Sequence, residues 1–167
     1  ISNDESRCCL TSEQRDALQV FEKQSPGSAL LLWGVTGSGK TEVYLQIVEK
    51  ELSEGRHCLM LTPEIGLIPQ LVDRCVRRFG EKVLEYHSGC SEKQRVNAWR
   101  QVLTTKEPLV VVGTRSSIFL PLFPLGLIVL DEEHDSSYKQ ESPMPCYHAR
   151  ELALDRAKRI GARVVLG

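Results

Sequence analysis

Six short apolar runs punctuate the chain, and the stretches between them repeat apolar residues at helical spacing. The runs cover 29–33, 58–61, 82–86, 109–112, 127–130 and 163–166. Four of them are almost unbroken Val, Ile, Leu and Met, as expected of strands covered on both faces in a parallel sheet. The clearest helix follows Pro69, a good first-turn residue. Its apolar positions Ile68, Leu71, Val72, Cys75, Val76 and Phe79 keep the i, i+3, i+4 rhythm, and Gly80 ends it. Capping boxes, Thr11 with Gln14 and Ser91 with Gln94, open two more helices. Residues 40–52 and 148–160 complete the set. Strand alternating with helix predicts βαβ units with right-handed crossovers, and so an α/β fold with a doubly wound, mostly parallel sheet. Residues 1–9 read as a loose tail and 10–167 as one domain. The chain stops at VVLG just after a strand, where such a domain normally continues, so a piece of a larger protein is expected.

Composition adds little beyond exclusions. Hydrophobic residues at 41% and charged residues at 26% suit a folded domain rather than a disordered one. A net charge of −1 gives no global attraction to nucleic acid or anionic membrane, so any nucleic-acid site must be local. The longest apolar stretch, 118–130, is interrupted by Pro121, Pro124 and Gly126 and falls short of a membrane span. The six cysteines form no C-x-x-C pair and match no zinc module, which predicts free thiols in a reducing compartment. His57, beside Cys58, reads as a strand residue rather than a ligand.

Two stretches carry chemistry. Gly34, Val35, Thr36, Gly37, Ser38, Gly39, Lys40 and Thr41 fit G-x-x-x-x-G-K-[ST] between a strand and a helix. The glycines let backbone N–H groups curl around phosphate oxygens, and the helix N-terminus adds partial positive charge. Lys40 is placed to bridge the β- and γ-phosphates of ATP, and the Thr41 hydroxyl to bind Mg²⁺. The plain alternative is a glycine-rich turn with an exposed lysine. The second stretch is Asp131, Glu132, Glu133 and His134, directly after the apolar run 126–130. Acids at the C-terminal end of a buried parallel strand lie where ligands bind in such sheets. Asp131 is expected to hold Mg²⁺ and Glu132 to orient and deprotonate the attacking water. The plain alternative here is a solvated acidic loop. Because a base for water sits beside the metal ligand, hydrolysis is favoured over transfer to a small substrate.

Asp-Glu-x-His after a hydrophobic strand resembles the DExH box of the superfamily 2 helicases. The order GVTGSGKTEVYL, TPEIGLIPQ, HSG, GTRSSIF, DEEHDSSYKQE and YHAREL resembles, more closely, the bacterial primosomal helicases that restart stalled replication. This resemblance spans about residues 10–167 and implies the first RecA-like P-loop NTPase lobe of such a helicase. It implies contact with single-stranded and forked DNA through Thr62, Pro63 and Glu64, and through Thr114, Arg115 and Ser116. It also implies 3′–5′ unwinding, partnership with other primosome proteins and single-stranded-DNA-binding protein, a monomer, and a bacterial cytoplasmic, nucleoid-associated setting. The family's second lobe, arginine finger and zinc module are not among these residues, so no zinc is expected here. His134, by the same likeness, couples the nucleotide site to the second lobe. Gln14 matches the glutamine that reads adenine in related helicases; its other reading is the capping box.

The stretch 135–150 has two prolines and no apolar period, so it reads as a loop. It nevertheless carries Tyr138, Lys139, Tyr147, His148 and Arg150. The aromatics suit stacking on bases and the cations suit phosphates, and in the resembled family an aromatic-rich loop here links DNA binding to hydrolysis. The alternative for Tyr147 is that it docks the following helix. Two departures stand out: Ser117 where alanine is common, and Cys146 where arginine is frequent. Arg74, Arg77 and Arg78 share a helix face, for which a solvated surface is expected over phosphate tracking. Lys158 and Arg159 are expected to cap a helix C-terminus. Two rival functions remain: another superfamily 2 motor, such as an RNA helicase or a restriction-enzyme translocase, and a small-molecule P-loop kinase.

Overall fold

All six runs form strands of one parallel sheet in the computed structural model, which describes residues 9–32, 39–142, 144 and 146–167. The strands are β1 (Ala29–Leu31), β2 (His57–Leu61), β3 (Val83–Tyr86), β4 (Val110–Gly113), β5 (Leu125–Leu130) and, last in the chain, Arg163–Leu166. The helices are α1 (Ser12–Glu22), α2 (Gly39–Ser53), α3 (Ile68–Phe79), α4 (Glu92–Thr104) and α5 (Ala149–Ile160). Both expected capping boxes are formed. The tail residues 1–8 lie outside the described residues.

Within 135–150, which the missing apolar period marks as a loop, the described residues include regular structure. A 3₁₀ turn at Ser136–Tyr138 leads into β6 (Lys139–Gln140), which pairs antiparallel with β7 (Tyr147–His148). The final strand is therefore β8 (Arg163–Leu166). Two-residue strands carry no readable alternation, which is why the pattern gave only a loop.

The sheet order is β1-β8-β5-β2-β4-β3. Residues alternate between faces, and the two faces collect separate cores. Cys58, Met60, Val110, Val112, Leu127 and Val129 meet α1, α2 and α3 on one side. Leu59, Leu61, Val111, Ile128 and Leu130 meet α5, the start of the 118–122 segment and Val102 of α4 on the other. Burial on both faces explains why these strands read as continuous apolar runs.

Register then decides where the chemistry lies. Leu61 pairs with both Gly113 and Leu130, and Leu130 pairs with Leu166, so four strands end level. The next residues continue the ladder by one bond each. Thr62 N–H donates to Gly113 O, Asp131 N–H to Leu61 O and Gly167 N–H to Leu130 O, all at 2.9 Å. Thr62, Thr114, Asp131 and Gly167 thus form a row along the C-terminal edge of the sheet, facing the start of α2.

Candidate nucleotide site and adjoining groove

Gly34, Val35, Thr36, Gly37 and Ser38 lie outside the described residues, and the last three positions of the motif lie within them. Gly39, Lys40 and Thr41 form the first turn of α2. Thr41 and Asp131 line one cavity of roughly 270 Å³, shared with Thr62, Leu67, Gln70, Leu71 and Arg74. The two residues expected to bind the metal are therefore brought together from positions ninety apart in the chain.

Asp131 is gripped from two sides. Tyr44, buried in α2, donates its hydroxyl to Asp131 Oδ1 at 2.9 Å. Tyr138 donates to the main-chain oxygens of Leu61 at 2.9 Å and Asp131 at 2.5 Å. Burial, then the nearby Asp131 charge, pushes both phenols well above the ordinary tyrosine range, so both remain donors. Glu132 follows in the left-handed region, with φ 51°, a conformation that costs a non-glycine residue on the order of 1 kcal/mol. The turn is held by Asp135 N–H on Glu132 O and by Glu133 N–H on Gly167 O, each at 3.0 Å. His134 is exposed, its Nε2 3.7 Å from Glu132.

Gln14 forms the capping box, its Oε1 accepting from Thr11 N–H, and its Nε2 donates to Gly39 O at 3.1 Å. The capping reading is realised, and the same side chain tethers α1 to the first turn of α2.

A second cavity, roughly 300 Å³, opens beside the first. It is lined by Pro63, Ile65, Ser88, Thr114, Arg115, Ser116, Ser137 and Gln140. Four of the six residues expected at DNA from the 62–64 and 114–116 stretches meet here. Thr62 does not: it is buried on the wall of the first cavity, its hydroxyl donating to Glu64 O. The Glu64 side chain is exposed on the turn that leads to α3. Arg115 reaches across to Ser137 O at 2.8 Å, fastening this groove to the segment that follows the carboxylates.

Tyr138 requires a correction. Its ring is fully buried among Leu59, Leu61, Ile128 and Leu130, so it offers no face to a base. An apolar-period test cannot see a single aromatic folded back under its own turn. Tyr147 is half-buried, packs edge-on against Phe119 at 4.9 Å and hydrogen-bonds Arg115. That arrangement is closer to the docking alternative than to a free stacking platform. Arg150 is engaged with Glu133 at 3.1 Å and Glu151 at 3.7 Å and is not among the residues lining the groove. Lys139 is exposed beside Glu141. Of the arginine face on α3, Arg78 is largely covered and bridges the covered Glu42 and the more exposed Glu49 rather than standing as a solvated cation. Arg77 pairs with Asp73, and Arg74 lines the first cavity.

The unusual Ser117 is buried, and its hydroxyl donates to Tyr86 O at 2.8 Å, pinning the 115–119 turn to the end of β3. Cys146 is exposed, its thiol on Glu141 O. Among the described residues, Glu85, His87 and Cys90 also converge within 4.8 Å. Both His87 nitrogens are already engaged, one with Glu85 and one accepting from Gly89 N–H, so the ring acts as a staple for the 87–90 turn. Arg74, expected on a solvated helix face, lines the first cavity instead, and Tyr44, Gln70, Ser88 and Ser137 carry no role in the sequence pattern. Only Tyr44 left a signal there, three residues beyond Thr41 and hence on its helix face.

Sheet order, flanking helices and the row of motif residues along one edge define a RecA-like α/β lobe. The DEAD/DEAH box helicase family model matches residues 11–160, and the chain belongs to that family. The replication restart protein PriA of Synechocystis sp. is 52% identical over 158 residues, covering 95% of this chain and 19% of that protein. PriA of Bacillus subtilis is 49% identical over 161 residues, covering 95% of this chain and 20% of its own length. The chain thus spans about a fifth of these curated relatives. Among solved structures, RecG bound to a three-way DNA junction aligns with a TM-score of 0.67 at 21% identity, over 95% of this chain and 21% of that one. T4 UvsW aligns at 0.63 and 17% identity, over 97% of this chain and 30% of its own. Both likenesses concern the fold.

Proposed function

We propose that this chain is the ATP-binding lobe of an ATP-dependent 3′–5′ DNA helicase that unwinds forked DNA and reloads the replication machinery where it has stalled. The observation that carries this is the level sheet edge. It sets Thr41 and Asp131 on one cavity and Pro63, Thr114, Arg115 and Ser116 on the next. Identity of about half to the PriA proteins supports the choice of DNA and of replication restart.

The donor set fits a hard divalent cation: a hydroxyl from Thr41 and a carboxylate from Asp131 on one cavity are oxygen ligands of the kind Mg²⁺ prefers. When bound, Mg²⁺ supplies charge neutralisation at the β- and γ-phosphate oxygens. Lys40 holds those phosphates, and Glu132 orients a water and takes its proton. The glycine loop 34–39 cradles the phosphates, and Gln14 keeps α1 against the first turn of α2. Strand binding at Thr114–Ser116 is transmitted through Arg115, Ser137 and Tyr138 to the Asp131 backbone. Lys139 and Glu64 are exposed and adjoin in sequence the groove residues Gln140 and Pro63. His134 faces a second lobe. The protein works in the bacterial cytoplasm with single-stranded-DNA-binding and primosome proteins; no helix of the described residues is long and apolar enough to cross a membrane.

The test uses the intact protein. Lys40→Ala should abolish binding of a fluorescent ATP analogue, whereas Glu132→Gln should bind it and fail to turn it over. ATPase stimulation should follow single-stranded DNA. Stimulation by RNA but not DNA would place the protein among other superfamily 2 motors, and undiminished binding by Lys40→Ala would remove the nucleotide site altogether.

A further inference from the structure

Building on the nucleotide reading above, we propose that Tyr44 is a positioning residue for the metal carboxylate, and that Gly167 keeps open the space in which it acts. Tyr44 lies one helical turn beyond Lys40 and Thr41, so it shares their face of α2 and points to the strand ends. Its ring is 1% exposed and its hydroxyl donates to Asp131 Oδ1 at 2.9 Å. An ionised carboxylate has about four acceptor positions. One donor on Oδ1 fixes the rotation of the carboxylate and leaves Oδ2 available to a cation. A charge-assisted bond of this type is roughly twice as strong as a neutral one.

A purely packing role would leave the phenol satisfied by any buried carbonyl. Tyr138, the neighbouring buried tyrosine, does just that with the oxygens of Leu61 and Asp131. The two therefore divide the task, Tyr138 holding the backbone of Asp131 and Tyr44 its side chain. Gly167 supplies an independent observation. A Cβ there would lie 1.6 Å from the Tyr44 hydroxyl oxygen and 2.8 Å from its Cζ. Any side chain at position 167 must push the phenol off the carboxylate. Gly167 is itself fixed in the row by Leu130 O and Glu133 N–H, so it cannot retreat without disturbing the Glu132 turn.

The intact protein is titrated with a fluorescent ATP analogue, first in EDTA and then with increasing Mg²⁺. Wild type should bind more tightly as Mg²⁺ rises, and Lys40→Ala should not bind in either condition. Tyr44→Phe keeps the ring and loses the donor. It should match wild type in EDTA, while the Mg²⁺ concentration for half-maximal tightening rises about tenfold, the lower end of the effect of removing a partner of a metal ligand. Gly167→Ala keeps the hydroxyl but displaces it, and should raise the Mg²⁺ requirement in the same direction. If Tyr44→Phe does not fold by circular dichroism, Gly167→Ala decides. A wild-type Mg²⁺ requirement in folded Tyr44→Phe, or equal weakening with and without Mg²⁺, overturns the proposal and leaves Tyr44 a packing residue. Absence of Mg²⁺-dependent binding in wild type would instead overturn the nucleotide reading itself.

Discussion

His57 is a buried histidine whose ring is oriented by one main-chain hydrogen bond. Its Nδ1 accepts from Leu109 N–H at 2.8 Å, so that nitrogen must carry a lone pair. Burial holds its pKa below the ordinary histidine value, only partly opposed by its bond to the Phe123 backbone. In the unfolded chain His57 titrates near 6.5. Its contribution to stability is therefore complete above about pH 6.5 and declines as pH falls towards the depressed folded value, because the unfolded state then binds the extra proton. Urea midpoints should drop between about pH 7.5 and 5.5, and His57→Gln should show a shallower drop; an identical slope would mean the ring is not the titrating group. Thiols divide in the same way. Burial pushes Cys75 up to about 12 and Cys58 well above its normal range, whereas Cys9 and Cys146 are exposed. Since the thiolate is the nucleophile, iodoacetamide at about pH 8 should label Cys9 and Cys146 and spare Cys58 and Cys75 until denaturant is added. Native-state labelling of Cys75 at the Cys146 rate would contradict the docking of α3.

Helices α2 and α3 are joined by charge as well as by apolar packing. Glu42, the residue after Thr41, accepts from Arg78 at 2.8 Å, and Arg78 also reaches Glu49 at 3.2 Å. Arg78 and Glu42 side chains are both 11% exposed. Removing Arg78 leaves Glu42 with only the Gln46 amide at 3.0 Å and the longer Arg74 contact at 3.8 Å, so Arg78→Ala should lower unfolding free energy by about 1–3 kcal/mol. Adding Glu42→Gln should recover part of that loss, which a double-mutant cycle in urea would read; fully additive losses would show the bridge to be incidental. The five helices and the six strands of the parallel sheet are legible, unlike the two-residue β6 and β7, since period, capping boxes and glycine stops are local properties. The partners of polar side chains are not. Periodicity told that Arg74, Arg77 and Arg78 share a face, but only the tertiary arrangement sets Glu42 opposite Arg78. Tyr138 illustrates the same limit: its hydroxyl is satisfied by Leu61, a residue seventy-seven positions away, and nothing nearby in the sequence marks it as core. The chemistry-bearing positions were legible because parallel strands ending level put every residue that follows a strand at one edge.

At the scale of the whole molecule, two cavities open on that edge, and the groove is tied through Arg115 and Ser137 to the turn after Asp131. The chain spans about a fifth of its PriA relatives. In the proposed motor the γ-phosphate lies between this lobe and a second one, which contributes an arginine to the developing charge. Arg74 does not replace it, because its guanidinium lies beside Glu42 at 3.8 Å on the wall of the first cavity. An arginine finger is worth roughly 10³–10⁵ in rate. Residues 1–167 alone should therefore bind Mg²⁺ and ATP through Lys40, Thr41 and Asp131, yet hydrolyse ATP at least about a thousandfold more slowly than the intact protein. Single-stranded DNA should not restore the rate, since a strand in the groove does not supply the missing cation. Steady-state release of inorganic phosphate, measured with and without DNA on both proteins, makes the comparison. DNA-stimulated turnover by the 167 residues at the intact protein's rate would mean that this lobe carries a complete catalytic set, and the two-lobe mechanism would have to be abandoned.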